Sequence, residues 1–335
     1  MSIAQTALHG LTAMTAAEVT VPAPGVLDLL TVGEPLVCLT AVGRLGAATT
    51  LAKSIGGAEA NVAIGLARLG LRAGYVSRVG DDPFGDEIVR TLRGEGVDVS
   101  RVQRSRTHPT GLMVKELRSP DDVRVQYYRR GSAATELDGI GEIPAARHVH
   151  ATAITPALGS GPAAAARELL AAGRAMGASV SFDPNIRLKL WSLDRAVAAV
   201  RELLTLVDDL LLSEAEALAV TGADELDEAL AWLADQGIAR IVVRRGADGA
   251  VGLADGRRVE VPAIAAGPVV DTVGAGDGFT AGYLFERLTG APFHAAMRTG
   301  AWVAGHVVAQ RGDYEGLPDR TDYDAWRGGT ATVRR

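Results

Sequence analysis

The run His148-Val149-His150-Ala151-Thr152-Ala153, the Ala-rich segment of helical period from Pro162 to Met176, and then Ser179-Val180-Ser181-Phe182 decide the fold. Two short apolar runs separated by one helix are what parallel strands joined by a right-handed crossover require. The alternation extends both ways. Upstream, Val26 to Val32 and Val76 to Val79 bracket a helical segment from Glu59 to Leu69; downstream, Leu210 to Leu212 and Ile241 to Val243 are separated by helical pattern again. Strands alternating with helices predict an α/β protein with a doubly wound, mostly parallel sheet flanked by helices. Such sheets bind ligands beyond the carboxyl ends of their strands.

One region breaks the rhythm. Between Thr110 and Arg130, Leu112 and Val114 and the alternating Val123, Val125 and Tyr127 flank Ser119-Pro120-Asp121-Asp122, a turn cluster, so an antiparallel hairpin is expected. Leu36 to Ala52 supplies a second extended stretch. Together they predict a small β-sheet lid over the ligand end, drawn from about 36–55 and 107–131 of a single domain over 28–325. Residues 1–27 read as an extension without fixed structure and 326–335 as a tail.

Composition narrows the function. The 335 residues carry 40 acidic and 34 basic side chains, a formal net charge of -6, which disfavours nucleic acid and anionic lipid as partners. The single cysteine, Cys38, cannot close an intramolecular disulfide, so a reducing, cytoplasmic setting is expected. No uncharged apolar run is long enough to span a membrane, and the first residues lack the basic and apolar regions of a secretory signal. Forty glycines exceed average usage, and their places are informative.

Asp271-Thr272-Val273-Gly274-Ala275-Gly276-Asp277-Gly278-Phe279 leads into an apolar helical run. Glycines directly before a helix put free N–H groups and the positive end of the helix dipole at one point, an anion site. Asp277 beside it is either a helix cap or a general base. Gly56-Gly57-Ala58-Glu59-Ala60-Asn61-Val62-Ala63 opens another helix, with Asn61 able to present donor and acceptor to a hydroxyl.

Together with Arg78-Val79-Gly80-Asp81-Asp82-Pro83-Phe84-Gly85, these two stretches resemble the signature regions of the ribokinase-like (PfkB) family of sugar kinases, over Leu29 to Pro318. The resemblance implies ATP-dependent transfer to a hydroxymethyl group. Asp277 then matches the catalytic base, and Gly274, Ala275 and Gly276 the hole for the transferring phosphoryl group. Arg245-Gly246-Ala247-Asp248-Gly249 resembles the nucleotide loop, placing Arg245, Gly246 and Gly249 with Gly274 and Gly276 at ATP; read alone, it is a turn between strands. Where many members have Asn-x-x-Glu, this chain has Ser213-Glu214-Ala215-Glu216, so Glu216 is the candidate for holding Mg2+ through water. A monovalent cation is left open.

The acceptor is read from three segments: Tyr127-Tyr128-Arg129, Asp183-Pro184-Asn185-Ile186-Arg187 and Arg311-Gly312-Asp313. All three are similar to those of 2-keto-3-deoxygluconate kinases. The resemblance places Gly57, Asn61, Tyr127, Tyr128, Arg129, Arg187, Asp277 and Asp313 at the sugar, and Asn185 and Arg187 at the nucleotide. Two guanidinium groups favour a carboxylate, hence a sugar acid; the resemblance implies that it is phosphorylated at its terminal (C6) hydroxyl. A fructokinase or other neutral-sugar kinase is the alternative, and a non-catalytic sugar sensor a remote one. A nicotinamide-dependent dehydrogenase lacks its Gly-x-Gly-x-x-Gly fingerprint after the first strand. Unpaired strand edges in the lid make a lid-mediated homodimer the expected assembly.

Overall fold

The computed structural model describes residues 25–119 and 122–329. In chain order the strands are β1 (Leu29–Val32), β2 (Leu36–Val42), β3 (Ala52–Gly56), β4 (Ala73–Gly80), β5 (Asp98–Ser105), β6 (Leu112–Ser119), β7 (Asp122–Tyr128), β8 (His148–Thr152), β9 (Ser179–Asp183), β10 (Asp209–Ser213), β11 (Arg240–Arg244), β12 (Ala250–Ala254) and β13 (Arg257–Val261). The helices are α1 (Ala58–Arg68), α2 (Pro83–Gly94), α3 (Ser160–Ala175), α4 (Leu193–Leu203), α5 (Glu214–Thr221), α6 (Leu226–Asp235), α7 (Ala275–Leu288), α8 (Phe293–Val308) and α9 (Arg320–Arg327).

Nine strands form one sheet in the order β13-β12-β11-β10-β9-β8-β1-β4-β5. It is parallel from β5 to β11 and antiparallel at β11–β12–β13. The apolar runs are continuous because both faces are covered. Leu29, Leu211 and Val242 face one core, with α1, α7 and α8. Their neighbours Leu30, Leu210, Leu212, Ile241 and Val243 face the other, with α3. This is the expected doubly wound architecture.

The remaining four strands form the second sheet, β3-β2-β6-β7. The hairpin β6–β7 is antiparallel, as the alternation predicts; Pro120 and Asp121 of its turn lie outside the described residues. β2 pairs parallel with β6 and antiparallel with β3, so the two insertions make one sheet.

Two expectations change. Most of the 1–27 extension lies outside the described residues, but Leu27 is already held, by a parallel bridge to Ala146. At the other end Trp326 belongs to α9 and stacks on Trp302 with ring centroids 4.8 Å apart, so the globular part runs past 325. The polar edge strands β5 and β13 carry no apolar run, which is why sequence pattern passes over them. Among the described residues no helix is long and apolar enough to cross a membrane.

Candidate active site

Gly57 and Gly274 are the N-cap residues of α1 and α7, with φ 133° and 84°. Side chains rarely adopt such angles, and neither position has room for one. A Cβ on Gly57 would stand 2.6 Å from the Glu34 carbonyl oxygen, and one on Gly274 2.3 Å from that of Asp313. The first turn of α7 thereby presents the N–H groups of Gly276 and Asp277 and the positive dipole end to a cavity of about 1130 Å³, while the Ala275 N–H makes a long bond to Thr272 O at 3.5 Å.

Asp277 is buried in that turn, and its carboxylate is directed at other elements rather than at its own helix end. Asn61 Nδ2 donates to Oδ2 at 2.8 Å, and Asn185 Nδ2 to Oδ1 at 3.5 Å. Burial pushes the carboxyl up to about 7; Asp183 and Asp313 act in the same direction, while Asn61 and Arg187 oppose it. Asn185 holds a left-handed backbone (φ 37°), its N–H donating to Asp183 Oδ1 at 3.0 Å. Asn61 Oδ1 is buried and has no partner, leaving an acceptor at the cavity wall.

The lid, α1 and the C-terminal segment supply Gly57, Asn61, Tyr127, Arg129 and Asp313 to this cavity. Asn185, Arg187, Glu216, Gly246, Gly249, Gly274, Ala275, Gly276 and Asp277 line the same space. Ala263, Ala265, Ala301, Ala304 and Val308, small apolar residues, form another part of its wall. Two expected residues are not among the lining. Tyr128 is 61% exposed, because strand alternation turns it to the face opposite Tyr127. Arg245 points away: its Nε donates to Glu214 Oε2 at 3.1 Å. Its neighbour Arg244 takes the place, donating from Nη1 to Gly276 O at 3.0 Å and binding Asp183 through both Nη atoms.

Glu216 lines the cavity but is already engaged. One oxygen accepts from Ser213 N and Oγ in a capping box, the other from Ile186 N at 2.7 Å. Its remaining lone pairs suit a metal that keeps most of its waters, as Mg2+ does. Among the described residues no group of three or more His, Cys, Asp or Glu forms an all-protein metal cage.

Four partners of the site, Glu34, Glu59, Lys115 and Asp271, are absent from the sequence-based set. Glu34 accepts from Arg129 Nε at 2.6 Å and Ser132 Oγ at 2.5 Å, so Arg129, 6% exposed, is ion-paired within the protein. Glu59 accepts from Thr152 and Thr155 hydroxyls at 2.7 and 2.8 Å, and burial raises its carboxyl above the usual range. Lys115 bridges Asp271 and Asp313 at 2.9 and 2.6 Å. A legible signal exists for Lys115: in β6 it alternates with Met113 and Leu117 on the inward face, where a lone charge needs a partner.

The description "pfkB family carbohydrate kinase" matches residues 31–320. The chain is 36% identical to a 2-dehydro-3-deoxygluconokinase of Bacillus subtilis (strain 168), covering 92% of this chain and 98% of that one. It is 37% identical to a fructokinase of Escherichia coli, over 68% of this chain and 75% of that one. Among solved structures, a PfkB protein from Polaromonas sp. JS666 superposes with a TM-score of 0.80 at 36% identity, covering 89% of this chain and 99% of that one.

Proposed function

This chain belongs to the pfkB family of carbohydrate kinases, ATP-dependent enzymes, and we propose that it phosphorylates the terminal hydroxyl of a keto-deoxy sugar acid, 2-keto-3-deoxygluconate or its C4 epimer. The observation that carries this reading is the Arg187 side chain, which lines the cavity with Arg129 and has no ion-pair partner among the described residues. Arg129 uses Nε and one Nη on Glu34, so its remaining N–H groups and Arg187 face the acceptor carboxylate. The similarity to a 2-dehydro-3-deoxygluconokinase over nearly its full length supports it.

Asn61 and Asp313 orient the sugar hydroxyls. Asp277 accepts the proton of the hydroxymethyl group as its oxygen bonds to the γ-phosphorus, the bond to the bridging oxygen breaks, and ADP leaves. The first-turn amides of α7 stabilise the charge on the transferring group, and Arg244 holds that turn through Gly276 O. Glu216 would hold Mg2+ through water, which offsets the charge of the phosphates. The apolar wall at Ala263, Ala265, Ala301 and Ala304 takes the adenine, and Gly246 and Gly249 allow its ribose and phosphates close to the backbone.

A second reading, a neutral-ketose kinase, is favoured by one feature: Glu34 already satisfies part of Arg129. Two-dimensional NMR of the product formed from ATP and 2-keto-3-deoxygluconate tests the proposal. A phosphate on the terminal carbon is expected; no phosphorylated sugar acid would sink it.

A further inference from the structure

Lys115 is 0% exposed, although it sits on a lid strand. Its Nζ donates to Asp313 Oδ1 at 2.6 Å and to Asp271 Oδ2 at 2.9 Å. Burial works against its charge, and the two carboxylates more than offset it, so the ammonium holds its proton more tightly than usual. The partners come from separate parts of the chain. Asp271 opens the loop before α7: its Oδ1 accepts from Val273 N at 3.1 Å and its Oδ2 from Gly312 N at 3.4 Å. Asp313 supports the N-cap of α7, since its carbonyl oxygen fills the space where a side chain at Gly274 would stand. Its carboxylate also lines the cavity and packs on Gly56 at the end of β3. One ammonium thus ties the lid sheet to the anion-binding turn and to the C-terminal segment.

Stability alone does not call for this arrangement. A buried ion cluster is often no more stabilising than apolar residues of the same volume. The cluster also sets two carboxylates against one ammonium, and the positive charge that acts on Asp313 beside Lys115 is Arg187 of the cavity wall, so the cluster is electrostatically part of the site. We propose that Lys115 is a positioning residue for phosphoryl transfer: acting from the lid through Asp271 and Asp313, it makes covering of the acceptor and setting of the anion-binding turn one event. Productive geometry then exists only when the lid is seated.

The test uses full-length protein and whichever acceptor is turned over fastest, so its outcome is independent of the sugar-acid reading. Lys115→Met keeps length and volume but leaves two buried carboxylates. Lys115→Met/Asp271→Asn restores the cluster's formal charge and serves if the single variant does not fold. We expect kcat to fall about 100-fold in both, with KM for ATP within about threefold of wild type. A pH profile separates position from charge, on the reading of Asp277 as base. The groups facing Asp277 are Asn61 from α1, Asp183, Asn185 and Arg187 at the end of β9, Arg244 from β11, and Asp313. In the single variant the acid limb of kcat moves up, by on the order of one pH unit; in the double variant it returns while kcat stays low. Wild-type kcat in either folded variant, or recovery of kcat together with the limb, overturns the proposal. So does failure of both to fold, which would make the cluster structural.

Discussion

Replacing Asp277 by asparagine should stop turnover and stabilise the fold, and the two effects share one cause. Burial holds the folded carboxyl at about 7, against 3.8 for an ordinary aspartate. Between about pH 4 and 7 the unfolded chain releases this proton while the folded chain keeps it, so wild-type stability falls as pH rises through that window. Above about 7 both states are ionised and the cost is constant. Three pH units correspond to roughly 4 kcal/mol. The introduced carboxamide would still accept from Asn61 Nδ2, but its own NH2 group would face Asn185 Nδ2, so about half of that gain should survive. An unfolding entropy near 2.1 cal/mol/K per residue over the folded part makes ~2 kcal/mol equal to roughly 3 °C in Tm. Calorimetry at pH 5 and pH 8 should show the variant's advantage growing with pH, while kcat drops by about 10³-fold or more and ATP binding persists. An advantage that is equal at both pH values would refute the raised pKa. Turnover within tenfold of wild type would remove Asp277 from the base role.

Three further substitutions test separate parts of the site. Arg129→Lys keeps a charge but loses the planar fork that spans Glu34 and the cavity, so KM for the sugar acid should rise about tenfold in steady-state assays with KM for ATP unchanged. Gly274→Ala forces a side chain onto a left-handed backbone 2.3 Å from Asp313 O, and chemical denaturation should show a loss of about 2 kcal/mol or more along with a collapse of kcat. Tyr128→Ala removes an exposed ring on the outer lid face, and both kcat and KM should stay within about twofold.

What the sequence made legible follows from the range of the interactions. Strands buried on both faces, such as β1, β9, β10 and β11, appear as apolar runs, and the helices between them as period. The glycines of both loops are legible because a left-handed backbone packed tightly against another segment admits no side chain, and that leaves its mark within a few residues. Roles set by partners far along the chain are not. Lys115 meets carboxylates 156 and 198 residues away, and Glu34 meets an arginine 95 residues on. Arg244 and Arg245 are adjacent, and only the path of the chain after β11 decides which faces the cavity. Serine in place of Asn at position 213 gains meaning from its capping box with Glu216, which fixes the carboxylate that faces the cavity.

The ratio of kcat/KM for 2-keto-3-deoxygluconate to that for fructose, from ADP release at saturating ATP, bears most directly on the sugar-acid assignment. Two guanidinium groups in the cavity wall predict, on the sugar-acid proposal, a ratio of about 10³ or higher. A ratio at or below one would contradict it and leave a neutral-sugar kinase.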